Sequence, residues 1–215
     1  MKKTILISLA SLLCLSYTIS WAQDDITNAF DDLKRTGTVN ENDSEMRKAA
    51  SDSALRQLLS HKPEAGFYCF TEDRMHDIRL TNAIPARWAE RPAETWQQFK
   101  GTCQPGEFYT WQIGIFSPFK TLDNVTVSFS DLKSEQEKRI PASAFQCFNQ
   151  GGTDTNGLPF QKEIDVPQGN VQALWLGMNI PTAAEGIYKG KAFVREGKAK
   201  PVEINIELTV SGTPI

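Results

Sequence analysis

From Pro105 to Val210 the chain alternates apolar and polar positions in short runs broken by Gly and Pro, the pattern of successive β-strands. In Phe108–Phe116, Tyr109, Trp111, Ile113 and Ile115 share one face while the other also carries apolar residues, as in a central, buried strand. Val125, Val127 and Phe129 alternate with Thr126, Ser128 and Ser130, a half-exposed strand. Ile140 to Phe148 supplies one or two short strands, and Phe160, Ile164 and Val166 another. Val171–Ile180, with Leu174, Trp175, Leu176 and Met178, is expected to run through the core. Ile187–Arg195 follows, and then a strictly alternating last strand with Val202, Ile204, Ile206, Leu208 and Val210 facing inward. Upstream, Phe67–Thr71 is a short strand candidate and Asp73–Arg87 reads as irregular. Pro85, Pro92 and Pro105 punctuate a connection that carries Trp88, Trp96 and Phe99. Short strands with turn signals between them predict a mainly β fold, an antiparallel Ig-like or jelly-roll-type β-sandwich over residues 66–211.

The N-terminal third has a different pattern. Lys2 and Lys3 precede an apolar run from Ile5 to Leu15, and Ser20-Trp21-Ala22 offers small residues at the −3 and −1 positions. This is a secretory signal pattern cut after Ala22, too short to span a bilayer. Leu13 stands where a lipidated cysteine at position 14 would need a small residue. Residues 23–65 form a polar leader, docked, loosely tethered or a spacer. Within it Ser44 offers a cap, and Met46, Ala50, Leu55, Leu58 and Leu59 fall at helical spacing before Pro63 and Gly66. The expected location is therefore outside the cytoplasm, periplasmic or extracellular.

Removing residues 1–22 leaves 193 of 215 residues and 21 Lys+Arg against 26 Asp+Glu. That balance, without a basic cluster, argues against nucleic acid or anionic lipid as a partner. The remaining cysteines, Cys69, Cys103 and Cys147, are odd in number and lack metal-ligand spacing. Three buried thiols are the favoured state, with a Cys69–Cys103 bridge as the alternative.

Three local patterns invite chemistry. Asp154, Asn156, Gly157 and Glu163 mimic a calcium loop, but Gly152 supplies no side-chain oxygen at the first position, so an Asp/Asn/Gly turn is expected. Glu72-Asp73-Arg74-Met75-His76-Asp77 gathers acids around a histidine, yet His61 is the only other histidine, and a solvated charged loop is expected. Glu107 alone cannot make the carboxylate pair of a glycosidase and should point outward from a strand start. No catalytic residue, metal site or cofactor is therefore assigned. Trp88 and Trp96, outside the expected strands, are the candidate carbohydrate-stacking pair, or else cover an open end of the sandwich.

Pro105-Gly106-Glu107-Phe108-Tyr109-Thr110-Trp111-Gln112-Ile113-Gly114-Ile115 resembles a strand near the front of large exported Bacteroidetes-type glycosidases of glycoside hydrolase family 123. Leu174-Trp175-Leu176-Gly177-Met178-Asn179-Ile180-Pro181 is similar to that family's tryptophan strand, and Gly186-Ile187-Tyr188-Lys189-Gly190 to its G-x-Y-x-G hairpin. The resemblance covers about residues 66–211. It implies a non-catalytic N-terminal β-sandwich preceding a (β/α)₈ barrel that carries the catalytic acids, with residues 212–215 at the start of the linker. A stand-alone carbohydrate-binding module is the alternative.

Overall fold

The computed structural model describes residues 46–215 apart from Lys62 and Leu80. The expected signal segment, the cap at Ser44 and the first part of the leader lie outside the described residues. The rest is a mainly β sandwich, as the alternation predicts.

Two sheets face each other. The first has the order β1 (Tyr68–Asp73), β3 (Phe108–Phe116), β10 (Val171–Asn179), β7 (Phe145–Cys147), all antiparallel. The second has the order β2 (Gln98–Cys103), β12 (Val202–Val210), β11 (Gly186–Glu196), β5 (Leu132–Ser134), β6 (Arg139–Ile140). In it β4 (Val125–Phe129) pairs with the C-terminal part of β11, just beyond β5. A separate hairpin joins β8 (Gly151–Thr153) to β9 (Pro159–Gln161). Between the sheets Trp111, Ile113, Leu174, Leu176, Tyr188, Ile204 and Leu208 are buried in one core.

The strands the alternation marks most clearly, β3, β10, β11 and β12, form the centres of the sheets. β2 departs from expectation: the connection holding Phe99 is a strand, and it pairs parallel to β12. Phe99 and Cys103 point inward while Gln98, Lys100 and Thr102 are exposed, but the intervening inward position is Gly101, which hides the apolar period.

The expected helix also starts later. α1 spans Asp52–Ser60, and the Ser51 side chain accepts the Ala54 N–H at 3.3 Å while Asp52 sits in the positively polarised first turn. Residues 48–50 are held out of the helix by sheet-like bonds: Ala50 N–H donates to Ile84 O at 2.9 Å and Ala86 N–H to Lys48 O at 2.8 Å. Leu55, Leu58 and Leu59 then fall on one buried face.

That face covers the outer surface of the first sheet. Met46, Leu58, Leu59, Ile78 and Ile84 pack with Trp88 and Trp96 over Tyr68, Phe70, Phe116, Val171 and Ala173 in a second core. Tyr68 Oη donates to Leu58 O at 3.2 Å. The first sheet is thus buried on both faces around β1, the end of β3 at Phe116 and the start of β10, which is why Phe116 is apolar on the outer side of β3.

Candidate functional site

The structure corrects the tryptophan expectation. Trp88, on the short helix α2 (Ala86–Glu90), is 0% exposed and Trp96 is 7% exposed. Sugar stacking requires an open ring face, and both indoles have spent theirs on protein. Trp88 stacks on Phe70 with centroids 4.6 Å apart, and Trp96 meets Tyr68 edge-on at 5.7 Å. Gly114 makes room for Trp88: a Cβ there would stand 2.1 Å from the indole ring.

The polar end of Trp88 reveals a site that sequence reading treats as a surface loop. Glu72, the outer-face residue next after Tyr68 and Phe70 on β1, is 3% exposed. Its carboxylate accepts Trp88 Nε1–H at 2.7 Å and stands 3.4 Å from Arg87 Nε and 3.2 Å from Arg91 Nη1. Arg91 also donates to Thr71 O at 3.1 Å, while its Nε and Nη2 are buried with no hydrogen-bond acceptor among the described residues. Burial depresses the pKa of Arg91, opposed by the Glu72 charge. A buried carboxylate pinning two guanidiniums and an indole is a fastening between α2 and the sheet. The only signal available was the strand parity that puts Glu72 on the face of Tyr68 and Phe70.

The remaining acids of that segment disperse. Asp73 accepts from the Met75 N–H and lies 2.8 Å from His76 Nδ1; against partial burial, these bonds keep its carboxyl below the usual range. Arg79 pairs with Asp77. Glu107 is not the outward carboxylate expected of a strand start, because Arg74 pairs with it and the Gln104 N–H donates to it at 2.9 Å. Asp154 closes the β8–β9 hairpin by accepting the Asn156 and Leu158 N–H groups, each at 2.9 Å. Among the described residues no three His, Cys, Asp or Glu side chains converge as a metal site. Cys69, Cys103 and Cys147 are free thiols, and burial pushes those of Cys103 and Cys147 up to about 11.

Among the described residues nothing covers the outer surface of the first sheet around β7 and the adjoining ends of β3 and β10, and aromatic side chains stand there. Trp175 is 51% exposed, Phe108 43% and Phe148 38%. Phe108 and Phe148 meet with centroids 5.8 Å apart and planes tilted by 51°. They close over Gly177, where a Cβ would stand 2.5 Å from one ring and 2.7 Å from the other. Trp175 is two residues back on the same face of β10, across from Gln112 on β3. Sequence reading placed Trp175 in the core with Leu174 and Leu176. Strand parity alone separates them: Leu174, Leu176 and Met178 point in, so Trp175 and Gly177 point out. At the Phe108 end, the tail lies against the β2–β3 turn, where Ile215 N–H donates to Pro105 O at 3.0 Å.

No protein-family model and no curated protein matches this chain. Solved structures similar to it include a glycoside hydrolase and several β-sandwich domains. A family 123 glycoside hydrolase from Clostridium perfringens, studied for glycolipid glycan hydrolysis, is 18% identical with a TM-score of 0.46. The match covers 55% of this chain and 23% of that one. The N-terminal domain of PorA is 8% identical over 68% of this chain and 98% of its own, with a TM-score of 0.35. A PapD-like domain of human CEP192 is 14% identical over 54% and 82%, with a TM-score of 0.34. The chain thus spans about a quarter of the length of the glycoside hydrolase it matches. Among the described residues no helix is long and apolar enough to cross a membrane.

Proposed function

We propose that this is an exported, non-catalytic accessory β-sandwich of a glycoside-hydrolase-like protein, and that it seats a catalytic barrel against its bare aromatic face. The observation that carries the reading is the cluster of Phe108, Phe148 and Trp175, exposed among the described residues, on the same sheet face that Leu58, Leu59, Trp88 and Trp96 bury elsewhere. Grouped exposed aromatics mark a surface that another body covers, since each ring left in water forgoes a large apolar burial. The three rings are not coplanar, so they suit an irregular protein surface better than a flat sugar platform. The motifs shared with family 123 glycosidases supply the barrel as the body in question.

The test mixes the purified protein with a separately produced family 123-type barrel and follows complex formation by sedimentation velocity. A complex that Trp175→Ser and Phe148→Ser abolish supports the reading. Hydrolysis of aryl glycosides by the isolated sandwich, or a complex insensitive to both substitutions, refutes it.

A further inference from the structure

A second surface feature lies where the open edges of the two sheets meet. β4 ends one edge and β7 the other, and between them runs a groove of about 430 Å³ lined by Phe129, Phe145, Gln146, Gln150, Gln161 and the glycines at 151 and 152. We propose that this seam groove binds an uncharged oligosaccharide.

Its chemistry differs from that of two other grooves among the described residues. The hollow across the second sheet carries Lys100, Lys189, Lys191 and Glu207, and the one beside the leader carries Glu64, Lys120, Glu196 and Lys200. No lining residue of the seam groove bears a charge; its one titratable group, the Cys147 thiol, is held neutral by burial. A uronate, sulfate or phosphate would therefore meet no counter-charge there, and desolvating it would be uncompensated.

What the groove does offer is amides and an aromatic wall. Phe129 and Phe145 stack on each other across the seam with centroids 4.4 Å apart and planes 11° from parallel, which takes one face of each ring; half-buried against the core, they leave only their outer surfaces as a preformed apolar wall. The Gln146 amide lies over Gly152, whose absent Cβ would stand 2.9 Å from Nε2, and Gln161 lies over Gly151. Both glutamines are exposed. A carboxamide both donates and accepts, which matches a hydroxyl that does the same, and the C–H face of a sugar ring packs on an aromatic wall. Few placed polar groups on an apolar wall is the usual make-up of a small-ligand site.

An extended peptide is the rival occupant, because a sheet edge can add a strand. Here the edge is already capped. Gln150 Oε1 accepts the Val127 N–H at 3.3 Å and its Nε2 donates to Val125 O at 2.6 Å, reproducing a neighbouring strand, while the Val125 N–H donates to Ile164 O at 2.7 Å. Asn149 does the same for β10 just beyond the end of β7, donating to Ala173 O at 2.7 Å and accepting the Trp175 N–H at 2.9 Å. A peptide would have to displace these side chains; a sugar leaves them in place.

The test titrates 15N-labelled protein, residues 23–215, with neutral gluco-, xylo- and chito-oligosaccharides, an oligogalacturonate, and an uncharged extended peptide. The expected result is saturable shifts at β4, β7 and β8 with at least one neutral oligosaccharide. Gln146→Ala and Gln161→Ala, both exposed, should keep the spectrum of a folded protein and each weaken binding by about tenfold, the loss of a hydrogen bond or two. Binding would be overturned by silence at these strands with every neutral sugar at millimolar concentration, by equal binding of the oligogalacturonate, by peptide binding in their place, or by shifts confined to Phe108, Phe148 and Trp175. None of Phe108, Phe148 and Trp175 lines the seam groove, although Gln146 stands across from Gly177, over which Phe108 and Phe148 close; Trp175→Ser, two residues from that point on β10, should leave sugar shifts intact and tests the barrel-docking reading independently.

Discussion

Glu72→Gln isolates the fastening between α2 and the first sheet. Gln keeps the size of the side chain and an oxygen for Trp88 Nε1–H, but removes the charge facing Arg87 and Arg91. The carboxylate is 2% exposed, whereas the two arginine side chains are 29% and 22% exposed. Breaking a fully buried pair by removing one partner costs about 3–5 kcal/mol. Because both guanidiniums retain some access to water and can partly rehydrate, the expected loss lies at the lower end, about 3 kcal/mol. With a urea slope near 2 kcal/mol/M, the unfolding midpoint should fall by about 1.5 M. Tryptophan fluorescence reports the transition, since Trp88 is itself at the site. Glu64→Gln is the control: its pair with Lys200 is exposed, with side chains 83% and 77% accessible, and should be worth less than about 1 kcal/mol. Adding Arg91→Met to Glu72→Gln should recover part of the loss, because it withdraws a buried cation left without its carboxylate. A midpoint shift for Glu72→Gln no larger than that for Glu64→Gln would refute the fastening.

Three further outcomes are expected. Gly114→Ala would drive a methyl group into the Trp88 indole, with only 2.1 Å to the ring, and should cost about 1–3 kcal/mol in denaturant unfolding, as overpacking does. Trp175→Ser, at a half-exposed ring, should change thermal stability by less than about 1 kcal/mol, in contrast to any buried aromatic; a large loss would mean the ring is buried in solution. Above the carboxylate range the Cys103 and Cys147 thiols should leave stability unchanged up to their ordinary value of 9.0 and then lower it towards pH 11, because burial raises both to about 11 and the folded state holds their protons more tightly than the unfolded chain. Chemical denaturation across that range checks it, and a rise in stability above pH 9 would contradict it.

The architecture is legible in the sequence wherever an apolar period of two runs long enough, as in β3 and β10 to β12. It is lost where a glycine takes an inward position, as Gly101 does in β2. The parallel pairing of β2 with β12 is a long-range choice that no local pattern encodes. The sites proved harder to read because composition gives no direction. Tryptophan in a Pro-rich connection looks exposed, yet Trp88 and Trp96 are the underside of a cover that the leader completes. Tryptophan in an apolar strand looks buried, yet Trp175 has the outward parity. Glu72 reads as part of a charged surface loop, although the strand that begins at Tyr68 carries it into the interior. For Trp175 and Glu72 the parity of the side chain along its strand decided the outcome, and for Trp88 and Trp96 the packing of a short helix and turn onto the sheet did; residue type decided none of them.

The central claim is that the aromatic face is covered by a catalytic barrel. A photo-reactive residue at position 148, with a control at Lys189 on the charged face of the second sheet, tests it most directly in cells producing the protein. The account predicts a crosslink from position 148 alone, to a chain or domain identified by mass spectrometry as a glycosidase barrel. Equal crosslinking from both positions, or a position-148 product containing no barrel, would contradict it.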